Sequence, residues 1–108
     1  MERTLYMASL GQTGSGGAMH VATPVAVVAI FNVDGCLHAI DDACLRCGAS
    51  LARGLLASLH VACPGCGLRY DLTTGRVHGV PALCTDTFAV HVVDSRVQVD
   101  DTPRLSPR

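Results

Sequence analysis

The chain has 108 residues, 49% of them apolar, with eight arginines, no lysine, nine acidic side chains and a formal net charge of −1. That length supports one domain whose core can fold without obligatory staples. The near-neutral charge and the lack of a basic stripe exclude a nucleic-acid or membrane-surface partner, and the longest apolar run, Val25 to Phe31, is far too short to span a bilayer. Met1 to Gly17 shows no basic flank followed by an apolar segment, so a cytoplasmic protein is expected, and the all-arginine, Ala- and Val-rich usage is that of a GC-rich bacterial genome.

In chain order, Arg3 to Met7 reads as a short strand and Gly11 to Gly17 as a turn or linker. Those glycines have neither Gly-Lys-Ser/Thr nor G-x-G-x-x-G spacing, and no helix pattern follows, so they are not a phosphate loop. Residues 1–17 are expected to form an N-terminal strand and Gly-rich turn, leaving 18–99 as the main domain. Val25 to Asn32 is apolar and β-branched, Asp34-Gly35 signals a hairpin, and Cys36 to Ile40 returns as its partner. A weak helical pattern runs from Ala49 to Leu59, and Gly54 to Ala62 reads as a turn and strand. Leu68 to Leu72 and Arg76 to Val80 flank Thr73-Thr74-Gly75, and Phe88 to Val93 and Arg96 to Val99 flank Asp94-Ser95. No stretch sustains a helical period over three turns. The predicted fold class is all-β, a small antiparallel β-sandwich or partly open barrel with two loops projecting from one end. Residues 100–108, with two prolines, read as a frayed tail.

Those two loops carry the chemistry. Cys44-Leu45-Arg46-Cys47-Gly48 and Cys63-Pro64-Gly65-Cys66-Gly67 are a pair of Cys-x-x-Cys-Gly knuckles, with fifteen residues between Cys47 and Cys63. Four thiolates converging from two tight turns make a tetrahedral all-sulfur site, which suits zinc, a single iron or an iron–sulfur cluster. In a reducing compartment such pairs serve as metal ligands or redox centres more often than as structural disulfides. Cys44, Cys47, Cys63 and Cys66 are therefore the candidate cofactor-binding and metal ligands, and 43–82 the metal-binding subdomain. Glycine after the second cysteine, as in rubredoxins and zinc ribbons, favours one ion held by all four sulfurs; a [2Fe–2S] unit with four cysteine ligands stays open. Cys36 and Cys84 read as small buried hydrophobes. Of the histidines, His20, His38, His60, His78 and His91, only His78 is a candidate for a ligand or electron-path role.

The run Phe31-Asn32-Val33-Asp34-Gly35-Cys36-Leu37-His38-Ala39-Ile40-Asp41-Asp42-Ala43-Cys44, then Gly48-Ala49-Ser50-Leu51, Cys63-Pro64, Gly67, Tyr70-Asp71-Leu72, Thr74-Gly75 and Pro81-Ala82, resembles a Rieske-type ferredoxin over about residues 18 to 99. The resemblance implies a small antiparallel fold in which two loops at one end hold a [2Fe–2S] cluster through Cys-x-His and Cys-x-x-His, with a proline loop shielding it. It also implies a soluble electron carrier serving a reductase and a terminal oxygenase, or the cluster-free small subunit of a larger enzyme. Cys44 and Cys63 match the family cysteines, whereas the histidine positions are Arg46 and Cys66, and Cys47 supplies a fourth thiolate one residue beyond the first of them. A histidine-ligated centre is thereby disfavoured.

Two functions are expected on these grounds. One is an electron carrier with an all-cysteine centre, mononuclear iron or zinc ahead of [2Fe–2S], in which Leu45, Leu51, Leu68 and Val80 limit water access. The other is a redox-silent zinc-stabilised interaction module. Neither takes a small-molecule substrate: no Ser/His/acid grouping or paired carboxylates stand out, and a four-thiolate ion leaves no open position for catalysis. Replacing two imidazoles by thiolates places a cluster nearer the roughly −400 mV of plant-type ferredoxins than the Rieske range of about −150 to +300 mV.

Overall fold

The computed structural model describes residues 5–9, 18–23, 27–93 and 96–100. The expected Gly11–Gly17 turn, the Asp94-Ser95 turn and the tail beyond Asp100 lie outside them. Twelve strands are described: β1 (Leu5–Ser9), β2 (Ala18–Ala22), β3 (Val27–Val33), β4 (Cys36–Asp41), β5 (Leu55–Ala57), β6 (His60–Ala62), β7 (Arg69–Asp71), β8 (Arg76–Val77), β9 (Val80–Cys84), β10 (Thr87–Phe88), β11 (Val90–Val93) and β12 (Arg96–Asp100). They form three antiparallel sheets in the orders β1-β12-β11, β10-β4-β3-β2 and β5-β6-β7-β8-β9. The expected all-β fold is thus present.

The sheet around β3 and β4 is the middle layer. Val28, Ala29, Ile30 and Phe31 are all fully buried, although successive strand residues point to opposite faces. Val28, Ile30 and Ala39 pack with Phe88, Val97 and Val99, whereas Ala29, Phe31 and Ile40 pack with Leu51, Val61, Tyr70, Leu72 and Val77. A strand covered on both faces reads as a continuous apolar run rather than an alternating one, which explains the sequence of β3. The second cluster also contains Cys44 and Cys63, so the roots of both knuckles belong to the core that joins the middle sheet to the five-stranded one.

The turns follow backbone chemistry. Between β3 and β4, Asp34 (φ 52°) and Gly35 (φ 84°) both adopt positive φ, the requirement of a type I′ hairpin, and the Gly35 N–H donates to Asn32 Oδ1 at 2.9 Å. The turn after β7 is closed by the Gly75 N–H donating to the Asp71 carbonyl at 2.7 Å, with Gly75 at φ 80°.

Three expectations are corrected. The weak helical pattern of Ala49 to Leu59 produces only a 3₁₀ turn, Leu51–Arg53; Leu51 is pinned in the core and Leu55–Ala57 pairs with β6. That hairpin turns at Ser58-Leu59, with Ser58 at φ 54°, where no glycine announces it. The expected single strand Arg76 to Val80 is broken at His78-Gly79, because Gly79 (φ 81°) folds β9 back onto β8 with a register shift between Arg76 and Val77.

Gly75 tests this account. A Cβ there would run into the backbone oxygen of Thr85 in a positive-φ conformation. Gly75→Ala is expected to destabilise the protein by roughly 2 kcal/mol or more, read as a lower urea midpoint at unchanged m-value.

Candidate metal centre

The first knuckle lies between β4 and the 3₁₀ turn, the second between β6 and β7, and they are built alike. In the first, the Gly48 N–H donates to the Cys44 carbonyl (2.9 Å) and the Cys44 N–H to the Ala49 carbonyl (2.9 Å). In the second, the Gly67 N–H donates to the Cys63 carbonyl (3.0 Å) and the Cys63 N–H to the Leu68 carbonyl (2.8 Å). Gly48 at φ 77° and Gly67 at φ 81° provide the left-handed residue that each reversal demands. The first loop is further tied down by buried Asp42, whose Oδ1 accepts from Ser50 Oγ and from the Ala52 N–H, both at 2.9 Å.

The knuckles bring the four predicted cysteines together. Cys44 Sγ lies 3.7 Å from Cys66 Sγ, Cys47 Sγ lies 3.4 Å from Cys63 Sγ, and all four sulfurs fall within 4.8 Å of one another. A tetrahedral ion with metal–sulfur bonds of about 2.3 Å sets its sulfurs ~3.8 Å apart, so this arrangement fits one ion. Cys44 and Cys63 face the core, Cys47 and Cys66 face outwards. No histidine joins the group among the described residues, and the histidine-ligated centre of the resembling family does not fit Arg46 and Cys66.

Backbone amides surround the sulfurs. The Gly65 N–H donates to Cys63 Sγ at 3.3 Å, and the amides of Cys47 and Arg46 beside Cys44, of Ala49 beside Cys47 and of Leu68 beside Cys66 each favour the thiolate there. Tyr70, fully buried, adds the hydroxyl. Its oxygen accepts from the Leu45 N–H at 3.0 Å, which leaves its proton to donate to Cys44 Sγ at 3.3 Å. Burial opposes ionisation of Cys44, but the Tyr70 bond, the two amides and the Cys63 thiol outweigh it and bring the Cys44 thiol down to about 6. At Cys47 the Ala49 amide favours the thiolate, yet the Cys63 thiol, burial and the other two sulfurs raise it to about 11. Four crowded sulfurs cannot all ionise without a cation between them.

Tyr70 and Gly65 are the functional residues that sequence reasoning missed. The signal for Tyr70 was a tyrosine on the inward side of a short strand, where a buried hydroxyl must find a partner. Gly65 has a steric role: a Cβ there would stand 2.9 Å from Cys47 Sγ and 3.3 Å from the Ala49 Cβ.

Other expectations are revised. Of the apolar neighbours meant to exclude water, Leu51 is buried and Leu68 half-buried, but Leu45 and Val80 are 49% and 39% exposed, so the site is sealed from the core side only. Cys36 is exposed rather than buried, because it follows the hairpin tip. Cys84 is half-buried, its thiol 3.4 Å from the Thr74 carbonyl. Pro81 lies in β9 rather than in a loop, and His78 lies away from the sulfurs, 6.0 Å from the His60 ring.

Two substitutions test the geometry. Tyr70→Phe removes the donor to Cys44, so in metal-free protein the Cys44 thiol should titrate above 6, seen as a shift of ultraviolet thiolate absorbance to higher pH. Gly65→Ala should displace Cys47 and weaken metal binding roughly 10–100-fold in a chelator competition, with strand content unchanged by circular dichroism.

Comparison with known proteins agrees with this architecture. The chain is 34% identical over 107 residues to the 3-phenylpropionate/cinnamic acid dioxygenase ferredoxin subunit of Shigella boydii serotype 4, covering 95% of this chain and 97% of that protein. Among solved structures, a chain of the complex of reduced oxygenase and oxidized ferredoxin in carbazole 1,9a-dioxygenase superposes with a TM-score of 0.86 at 23% identity, covering 97% of this chain and 100% of that one. A proposed NADH-dependent nitrite reductase small subunit from Mycobacterium tuberculosis superposes with a TM-score of 0.83 at 21% identity, covering 99% and 100%. At those identities the superpositions establish the fold. Residues 8–100 match the family described as the Rieske-like [2Fe-2S] domain, and with the sequence relative this makes the chain a member of that family.

Proposed function

We propose that the chain is an electron-transfer protein of an oxygenase system in which Cys44, Cys47, Cys63 and Cys66 hold one iron ion in place of a [2Fe–2S] cluster. The observation that supports a single ion is the separation of the sulfurs, none beyond 4.8 Å. Two sulfide-bridged irons would hold their two pairs of terminal sulfurs about 5.5 Å apart or more, on opposite ends of the cluster. The carrier role rests on the family and on the relative named as a dioxygenase ferredoxin subunit.

An iron ion there would supply a one-electron couple. Every sulfur is tied to the backbone of its own knuckle, so the protein presents one geometry to either charge state. Cys47 and Cys66 face outwards beside exposed Leu45 and Pro64, which brings the centre close to any partner docked on that tip. The partners we assign are a reductase and a terminal oxygenase. A closed four-thiolate set has no position for substrate, which suits a carrier or accessory subunit rather than a catalyst. The metal-binding unit is assigned to 43–82 within a domain of 18–99. All six cysteines are unbridged, which suits a reducing cytoplasm; among the described residues no helix is long and apolar enough to cross a membrane.

Protein purified from its native host is expected to be red, with one iron per chain, no acid-labile sulfide, and sulfur-to-iron charge-transfer absorption. Two irons and two sulfides would replace the single ion by a cluster. Colourless protein with one zinc would overturn the carrier reading in favour of a zinc-stabilised interaction module. With no imidazole among the ligands, the potential of the iron form should stay flat across about pH 6 to 8 by film voltammetry.

A further inference from the structure

The outer face of the five-stranded sheet carries groups that the thiolate centre does not use. Val61, Tyr70 and Val77 point into the core, so their strand neighbours His60, Asp71 and Arg76 stand on the opposite face, with Arg69 and His78 on the same side. His60 on β6 is paired with Asp71 on β7, and His78 follows β8. The two imidazoles lean over the strand between them until their centroids are 6.0 Å apart with planes at 83°. His60, Asp71 and His78 line an open cavity of about 430 Å³.

We propose that His60, Asp71 and His78 form a second metal site, for a divalent first-row ion such as Zn²⁺, Ni²⁺ or Cu²⁺, independent of the four-thiolate centre. Imidazole and carboxylate are the ligands those ions share. An ion about 2.1 Å from a nitrogen of each ring lies about 3.2 Å from each centroid, which allows centroids roughly 5.2–6.4 Å apart, and 6.0 Å falls inside that range. The carboxylate is already oriented. Asp71 Oδ1 accepts from the Thr73 N–H at 2.8 Å and from the Thr73 hydroxyl, while Oδ2 faces His60 Nε2 at 4.0 Å. Hydrogen bonds that fix a carboxylate's orientation, here from Thr73 and the Thr74 amide, are how a ligating carboxylate is held. A closure of under about 1 Å brings His60 Nε2 and Asp71 Oδ2 from 4.0 Å to the spacing of two ligands on one ion, and turning the His78 ring towards them would complete a three-ligand face whose remaining position is open to water or to a group from a partner.

Arg69 and Arg76 stand on the same face, so an anion is the competing occupant. The test uses protein carrying one zinc in the cysteine site, titrated calorimetrically with Ni²⁺ alone and separately with inorganic phosphate. One saturable Ni²⁺ equivalent is expected, weakened at least about tenfold in both His60→Asn and His78→Asn while each variant keeps its zinc and its circular dichroism spectrum. In the paramagnetic complex the proton resonances of both imidazoles should broaden. The proposal is overturned by the absence of a saturable Ni²⁺ equivalent, by an equivalent unaffected by either substitution, or by zinc release with sulfur-to-nickel absorption. Saturable phosphate binding without Ni²⁺ binding would overturn it in favour of an anion site.

Discussion

Four sulfurs packed within 4.8 Å of one another are the constraint on which the rest of the structure depends. Each thiolate brings a negative charge to the edge of an apolar core, where it needs both a cation and fixed donors. Most of the donors are backbone amides of the turns themselves, joined by the Tyr70 hydroxyl at Cys44. That requires a left-handed residue at the end of each knuckle, and Gly48 and Gly67 provide it. It also requires that nothing larger than hydrogen stand between the knuckles, which is the part played by Gly65. The opposite pKa displacements of Cys44 and Cys47 show the same constraint from the other side: without an ion, the donors can stabilise one thiolate at the expense of its neighbours.

The knuckles hold this arrangement because they are rooted in the core. Cys44 and Cys63 pack with Phe31, Ile40, Leu51 and Val61, and Tyr70 joins that cluster to the site through its ring on one side and its hydroxyl on the other. The middle sheet gives this core its rigidity, since β3 and β4 are covered on both faces. Packing at Phe31 and Leu51 therefore supports the loop that carries Cys44, Cys47 and their donors. The outward sulfurs of Cys47 and Cys66 stay open, so the same frame that orders the ligands leaves the tip accessible.

The strongly patterned elements were legible in the sequence. The apolar run of β3, the Asp34-Gly35 reversal and the two Cys-x-x-Cys-Gly knuckles each carry a local signal tied to one backbone geometry, and the four cysteines are brought together as their spacing suggests. The elements that escaped are those decided by tertiary contact. Ala49 to Leu59 has a faint helical period, but burial of Leu51 and pairing with β6 override it, and the Ser58-Leu59 turn contains neither glycine nor asparagine. The break at His78-Gly79 was hidden because a lone glycine in an apolar stretch looks like a tolerated strand residue. Cys36 and Cys84 read as core residues, whereas Cys36 follows a hairpin tip that no layer covers and Cys84, at the end of β9, is only half-buried. The donor role of Tyr70 needs a three-dimensional contact between β7 and the first knuckle, which no spacing rule contains.

The four-cysteine set also bears on the proposal that this family member holds one ion in place of the family's cluster. Exchanging two neutral imidazoles for two thiolates makes the site about two charges more negative, and the compensation has to come from nearby groups. Here it comes in two forms. The amides of Arg46, Cys47, Ala49, Gly65 and Leu68 and the Tyr70 hydroxyl are fixed dipoles at the sulfurs. Arg46, at a position that the histidine-ligated members use for a ligand, is an exposed cation that cannot coordinate but lies on the same turn. In the proposed single-ion site Arg46 and Cys47 act as one change in chemistry: the next residue would be the ligand in place of an imidazole, and a positive charge would stay on the loop. With an ion held by its cysteines, such a loop would carry no imidazole ligand to gain or lose a proton near neutral pH.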